Sequence, residues 1–253
     1  MKKLTIAALF IGSMLSASAS AVLTFDTDVT SDVIFGSGNT NGSFTVDQAN
    51  GIELGLRGKL RFNALGLPEN TFNSNGDGTY SFDAGVAPTK AAPTAVWSFE
   101  WSINSNFDGS GGDLDDYTYI LGLDTDPTAA VSMFEFDPIN MAYADHAIGD
   151  NSTGNGAGAV AADAAGYAAL ISSNNIAQNS WQAHWFFGPG FDPTVDGTYD
   201  ISLTAFDLNG GLAANTSIQI IVGAGATVVP EPETLALLLI GLLGLAARKK
   251  LTK

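Results

Sequence analysis

The chain has 253 residues, with 26 acidic side chains against ten basic ones and no cysteine. Such a negative surface repels phosphate backbones and argues against a nucleic-acid partner. Without cysteine, thiolate metal sites, iron–sulfur clusters, cysteine nucleophiles and disulfide staples are excluded, so the fold must stand on its apolar core.

Lys2 and Lys3 open the chain, an apolar run covers residues 4–15, and Ala19-Ser20-Ala21 offers a small-x-small cleavage position. These three features in this order predict a secretory signal peptide over residues 1–21. Residues 22–226 then form one extracellular domain, long enough for a sizeable core. Residues 22–230 hold only four basic side chains, Arg57, Lys59, Arg61 and Lys90, against 24 acidic ones. That balance suits solubility outside the cell.

The mature region reads as β structure, with short β-branched and aromatic segments between clusters of Gly, Asn, Asp, Ser and Pro. Strands are predicted at residues 21–26 and 51–62. In the second, Arg57, Lys59 and Arg61 share one face at a period of two, a stripe that could contact an anionic polymer but is expected to be solvated and to pair with nearby acids. A short strand is expected at 79–82. At 96–103, Trp97, Phe99, Trp101 and Ile103 alternate with Ser98, Glu100 and Ser102, the pattern of a half-buried antiparallel strand. Further strands are predicted at 117–123, 131–136 and 181–187. A terminal hairpin at 197–206 and 216–222 turns on Asn209-Gly210-Gly211. Ala-rich residues 159–171 are the one helix candidate of the mature region. About nine strands at this loop spacing predict an all-β fold, an antiparallel sandwich or jelly roll with one short helix.

Two stretches carry calcium-type chemistry. Asn73, Asn75 and Asp77 form Asn-x-Asn-x-Asp-Gly, which places oxygens at alternate positions before a sharp turn, as the first half of a calcium loop does. The twelfth position is Ala84 rather than Glu, and the same residues also suit a plain hairpin turn. Asp113, Asp115 and Asp116 cluster in a Gly-rich loop with Asp108, and repel one another unless a cation or solvent screens them. Calcium is therefore the one cofactor for which the sequence offers sites. The two histidines, His146 and His184, come without a Gly-x-Ser-x-Gly elbow, and no phosphate loop or dinucleotide fingerprint occurs. No residue set reaches a named reaction, and a non-enzymatic protein is expected. Glu135-Phe136-Asp137-Pro138-Ile139-Asn140 resembles the Glu-x-Asp-x-x-Glu strand motif of jelly-roll β-glucanases. Asn140, however, stands where that family has its acid/base and cannot shuttle a proton, and Pro138 would interrupt the strand.

The C-terminus is the most specific stretch. Pro230, Glu231 and Pro232 precede a 13-residue apolar run at 235–247, stopped by Arg248, Lys249 and Lys250. The prolines break any helix before the run. At 1.5 Å per residue the run spans about 20 Å, short of a ~30 Å hydrocarbon core, so it makes a weak anchor. The basic stop should stay cytoplasmic, leaving the acidic domain outside. This combination resembles the PEP-CTERM sorting signal of Gram-negative bacteria, covering residues 227–253. The resemblance implies a transmembrane sorting helix that holds the chain transiently in the inner membrane. It also implies an exosortase-type processing enzyme as partner, transfer to the cell surface or extracellular matrix, and an exopolysaccharide or biofilm setting. The segment 174–181 and the terminal hairpin are also similar to other proteins carrying this tail, which implies a shared extracellular β domain. Three roles follow as expectations: a structural or adhesive surface protein, a calcium-dependent carbohydrate-binding module, and a polysaccharide-active enzyme.

Overall fold

A computed structural model describes residues 23–30, 32–35 and 39–226. Twelve strands form two sheets among these residues. The first sheet contains β1 (Thr24–Thr27), β2 (Phe44–Ala49), β3 (Ile52–Phe62), β4 (Pro68–Thr71), β6 (Trp97–Asn104), β9 (Ala147–Gly149) and β10 (Ile176–Trp181). Its spatial order is β1-β2-β3-β6-β10-β9, with β4 alongside the end of β3. The second sheet runs β5-β12-β11-β7-β8, from β5 (Thr79–Phe82), β12 (Leu212–Val222), β11 (Gly197–Asp207), β7 (Tyr117–Asp124) and β8 (Met133–Phe136). Every pairing is antiparallel except β5 on β12. The all-β expectation holds, and the sheets pack face to face as a sandwich.

The core follows from the period of two. Ile52, Leu54 and Leu56 of β3 and Trp97, Phe99, Trp101 and Ile103 of β6 point inward from the first sheet. Tyr119, Leu121 and Leu123 of β7, Tyr199, Ile201 and Leu203 of β11, and Ile218 and Ile220 of β12 meet them from the second. Trp97 and Trp101 are 1% and 0% exposed, which removes them as binding platforms. Gly58 also faces inward. A Cβ there would come within 2.8 Å of Ile220 Cδ1 and Tyr80 Cβ, so glycine lets the sheets approach.

The structure corrects several sequence expectations. Strand β2 was not predicted, although Asn50-Gly51 joins it to β3 in a two-residue turn with both φ values positive, 51° and 81°. That is the type I′ hairpin geometry which Asn-Gly favours. The strand expected at 181–187 instead ends at Trp181, and Ala183–Trp185 forms a 3-10 turn. The strand lies one segment earlier, at β10, where Asn-, Gln- and Ser-rich residues pair with β6. The helix is shorter than predicted: α1 spans Ala164–Ile171, begun by Asp163, whose side chain accepts from Gly166 N.

The largest correction concerns the first sheet. All eight residues of β6 are buried, so this strand is covered on both faces rather than half-buried. The stripe Arg57, Lys59, Arg61 is not solvated either: Arg57 is 0% and Lys59 5% exposed. Described residues between β1 and β2 cover the outer face. Val29 and Ile34 cluster there with Phe44 and Val46. Val33 packs with Ala147 and Ile176. The close approach depends on Gly55, where a Cβ would lie 2.6 Å from Val29 Cγ1.

Candidate functional site

Asn73, Asn75 and Asp77 are exposed in the turn before β5. Asp77 Oδ1 accepts from Thr79 N at 3.0 Å and Thr79 Oγ1 at 2.7 Å. Asn75 Nδ2 donates to Thr79 Oγ1 and Ser81 Oγ, and Asn73 Nδ2 donates to Ser81 O. These side chains close the hairpin on itself. In the second acidic loop, Asp116 Oδ2 accepts from Asp113 N at 2.9 Å, at the head of the 3-10 turn Leu114–Asp116. Partial burial, then the neighbouring Asp116 and Asp113, push the Asp115 carboxyl up. Among the described residues no three His, Asp or Glu groups converge as a ligand set.

Much of the acidity serves turns. Asp77, Asp108, Asp126, Asp150 and Asp192 each accept hydrogen bonds from a Thr or Ser two residues on. Those bonds hold each of the five carboxyls below the usual range. The repeated Asp-x-Ser/Thr spacing was legible in the sequence and accounts for these residues without a metal.

In the Glu135–Asn140 stretch, Asp137 and Asn140 bond to the neighbouring backbone. Asp137 Oδ1 accepts from Ile139 N and Asn140 N, and its Oδ2 accepts from Tyr119 N. Asn140 Nδ2 donates to Tyr117 O. His146 is 0% exposed, packs edge-on to Trp101, and its Nε2 lies 2.7 Å from Pro138 O. A carbonyl can only accept, so Nε2 is assigned the proton, and Nδ1 accepts from Asn179 Nδ2 at 3.0 Å. Burial lowers the basicity of this ring.

Aromatic side chains gather at the open edge between the sheets. Phe136 stacks on Phe186 at 5.6 Å and 9°, with Trp181 at 5.9 Å and Phe134 at 5.4 Å. Phe134 is 46% exposed; Trp185, in the 3-10 turn that carries on toward Phe186, is 56% exposed.

The outer face of the first sheet holds the strongest electrostatics. Arg57 Nη2 and Nε lie 2.6 and 2.7 Å from Glu100 Oε2, directly across the β3–β6 pairing. Lys59 Nζ lies 3.3 Å from Glu100 Oε1. The Arg57 guanidinium sits between the rings of Phe44 and Phe72, 4.1 and 3.8 Å from their centroids. Its Nη1 donates to Thr40 O and Gly42 O. Glu53, at the other end of the face, accepts from Thr30 and Gln48. Desolvation lowers the basicity of Arg57 and Lys59, and Glu100 opposes it. The sequence pattern put these residues on one face. Their burial was not legible, because it depends on a segment folding back from elsewhere in the chain.

The described residues end beside the second sheet, where Gly223 N donates to Phe82 O at 2.8 Å and Ala226 N to Thr198 Oγ1 at 2.9 Å. The family model for the PEP-CTERM protein-sorting motif matches residues 228–250. This is a PEP-CTERM domain-containing protein. The match takes in Pro230, Glu231, Pro232 and the stop Arg248, Lys249 and Lys250. As a PEP-CTERM protein it is exported and sorted by an exosortase-type enzyme. No curated protein and no solved structure matches the chain. The motif, the expected signal peptide at 1–21 and the expected sorting helix all lie outside the described residues. Among the described residues no helix is long and apolar enough to cross a membrane.

Proposed function

We propose that this PEP-CTERM protein delivers its sandwich to the cell surface or extracellular matrix and serves there as a structural or adhesive component among exopolysaccharide. The sorting motif at residues 228–250 carries this reading. In it, the apolar run holds the chain briefly in the inner membrane, and processing then releases the sandwich from that run. The domain suits such a role: it is acidic, free of cysteine, and buries both faces of its strand β6. Mass spectrometry of the native surface form tests the proposal. The expected C-terminus lies upstream of Lys253; a surface form still ending at Lys253 would refute processing of the tail.

A second reading is a carbohydrate-binding module, favoured by the exposed rings of Trp185 and Phe134. Aromatic faces of this kind stack on sugar rings and on nucleobases alike, but the acidic surface disfavours the latter. Glycan binding lost in Trp185→Ala, with the melting temperature unchanged, would support it.

A further inference from the structure

Strand β1 pairs irregularly with β2. Thr24 stands opposite Val46 and Thr27 opposite Phe44, so β1 carries one extra residue, and Asp26 takes a left-handed φ of 53° there. Such a bulge re-aims side chains. Here Phe25 rests on the turn before β5: a Cβ on Gly78 would lie 3.0 Å from Phe25 Cε1. Glycine, at a φ of 87°, lets the ring lie against the backbone. Phe25 is nevertheless 42% exposed.

Phe25 borders a cleft of about 480 Å³ over the outer face of the second sheet. The floor of the cleft follows the strand register. Gln219 of β12 stands between Asp200 of β11 and Thr79 of β5, and Ser202 stands opposite Ser217. Gln219 Nε2 donates to Asp200 Oδ1 at 2.9 Å, which fixes the carboxylate and leaves its second oxygen to accept. Asp77, also lining the cleft, is fixed in the same way by Thr79 N and Oγ1. The hydroxyls of Ser202 and Ser217 can each donate and accept. Among the described residues no Lys, Arg or His lines the cleft, so an anionic ligand would meet two carboxylates and no counter-charge. An ammonium ion could use the acceptors and the ring face, but it would leave the serine donors unused. A sugar uses both kinds of group. Its O–H groups donate to the carboxylate, its oxygens accept from the serines, and its C–H face lies on the aromatic ring.

We propose that this cleft binds a neutral saccharide, with Phe25 as its stacking wall, Asp200 as the main acceptor, and Ser202, Ser217 and Gln219 as further partners. Neither Trp185 nor Phe134 lines it. The site rests on its own lining rather than on the sorting motif, so its failure would leave the surface role standing.

Calorimetric titration of the full chain in a sugar-free detergent tests this. Glucose, cellohexaose, maltohexaose and mannohexaose are the probes, with oligogalacturonate and choline as charged controls. Saturable binding of at least one neutral probe is expected, weakened about tenfold or more in Phe25→Ala and in Asp200→Asn through loss of stacking and of a charge-assisted contact, and unchanged in Trp185→Ala. Asp200→Asn keeps the side chain's size, so it reads the site even where Phe25→Ala unsettles β1. Binding of glucose as tight as that of a hexaose assigns a single sugar unit; binding of a hexaose alone assigns a glycan chain. No saturable heat from any neutral probe overturns the site. Equal binding by wild type and Asp200→Asn also overturns it, as does binding lost only in Trp185→Ala, or a preference for oligogalacturonate or choline.

Discussion

Glu100→Gln is the most direct probe of the buried face. The substitution keeps shape and one acceptor oxygen but removes the charge. Glu100 and Arg57 have fully buried side chains, and Lys59 is nearly so. The carboxylate holds two cations, at 2.6 and 3.3 Å. Its loss leaves both cations desolvated without a counter-charge. Breaking a buried pair in this way costs roughly 3–5 kcal/mol, against about 0–1 kcal/mol for a surface pair. For a domain of this size that corresponds to a fall in melting temperature of roughly 6–20 °C. Urea unfolding followed by tryptophan fluorescence reads it directly, because Trp97, Trp101 and Trp181 lie in the core. With a urea dependence of about 2–3 kcal/mol/M, the midpoint should drop by roughly 1–2 M. Arg57→Met combined with Glu100→Gln should recover part of the loss, since one orphaned cation is then gone. A loss below about 1 kcal/mol for Glu100→Gln would mean that water reaches the pair, and the case for a sealed face would fail.

Other perturbations read other parts of the fold. Asp47 is 0% exposed and points between the sheets; Oδ2 accepts from Asn215 N, and burial raises its pKa. A raised carboxyl favours the protonated form, so its contribution is present below the unfolded pKa and lost as pH rises through the folded one. Asp47→Asn should therefore stabilise the domain at neutral pH, by about 1 kcal/mol, and flatten that part of the stability–pH curve. The five Asp-x-Ser/Thr turns have the opposite sign: their lowered carboxyls stabilise above the unfolded pKa, and that contribution is lost as pH falls through the folded values. Stability should fall below about pH 4, and less so in Asp77→Asn, as thermal melts from pH 5 to 2 would show. The hairpin of Asn73, Asn75 and Asp77 closes on its own hydrogen bonds, so chelation should leave the melting temperature unchanged. A rise of several degrees with millimolar calcium would instead support a calcium site.

What could be read from the sequence divides along local and long-range lines. The alternation at Trp97–Ile103 and at Tyr199–Leu203 marked inner faces correctly, because a strand's two-residue period is a local property. The terminal hairpin was legible for the same reason. Asn50-Gly51 signals the turn into strand β3, whereas Asp47 and Gln48 give β2 itself a polar look. Strand β10 was harder: Gln178, Asn179 and Ser180 lack β-branched or apolar character, and they form a strand because β6 supplies the partner edge. At the charged face, residue types and spacing were visible. Burial was not, since it depends on Val29, Val33 and Ile34 returning over the sheet.

That returning segment explains how an exported domain without disulfides gains stability. A two-layer sandwich leaves the outer face of each sheet to solvent. Here residues between β1 and β2 add a partial third layer over the first sheet, tied down by Glu53 to Thr30, Arg57 to Thr40 and Gly42, and Lys59 to Asn39. Polar ties suit this layer better than a second apolar core, because a segment with little regular structure carries backbone carbonyls that need donors. Arg57 supplies two such donors while its planar face packs between Phe44 and Phe72. Gly55→Ala isolates the layer from the sandwich. A methyl group 2.6 Å from Val29 Cγ1 would lift the segment without touching the inner core. The expected cost is about 1–3 kcal/mol, as for overpacking. Hydrogen exchange should rise in residues 28–30, 32–35 and 39–43, while the amides of β11 and β12 stay protected. Uniform loss of protection across both sheets would show instead that the crossing segment and the sandwich fold as one inseparable unit.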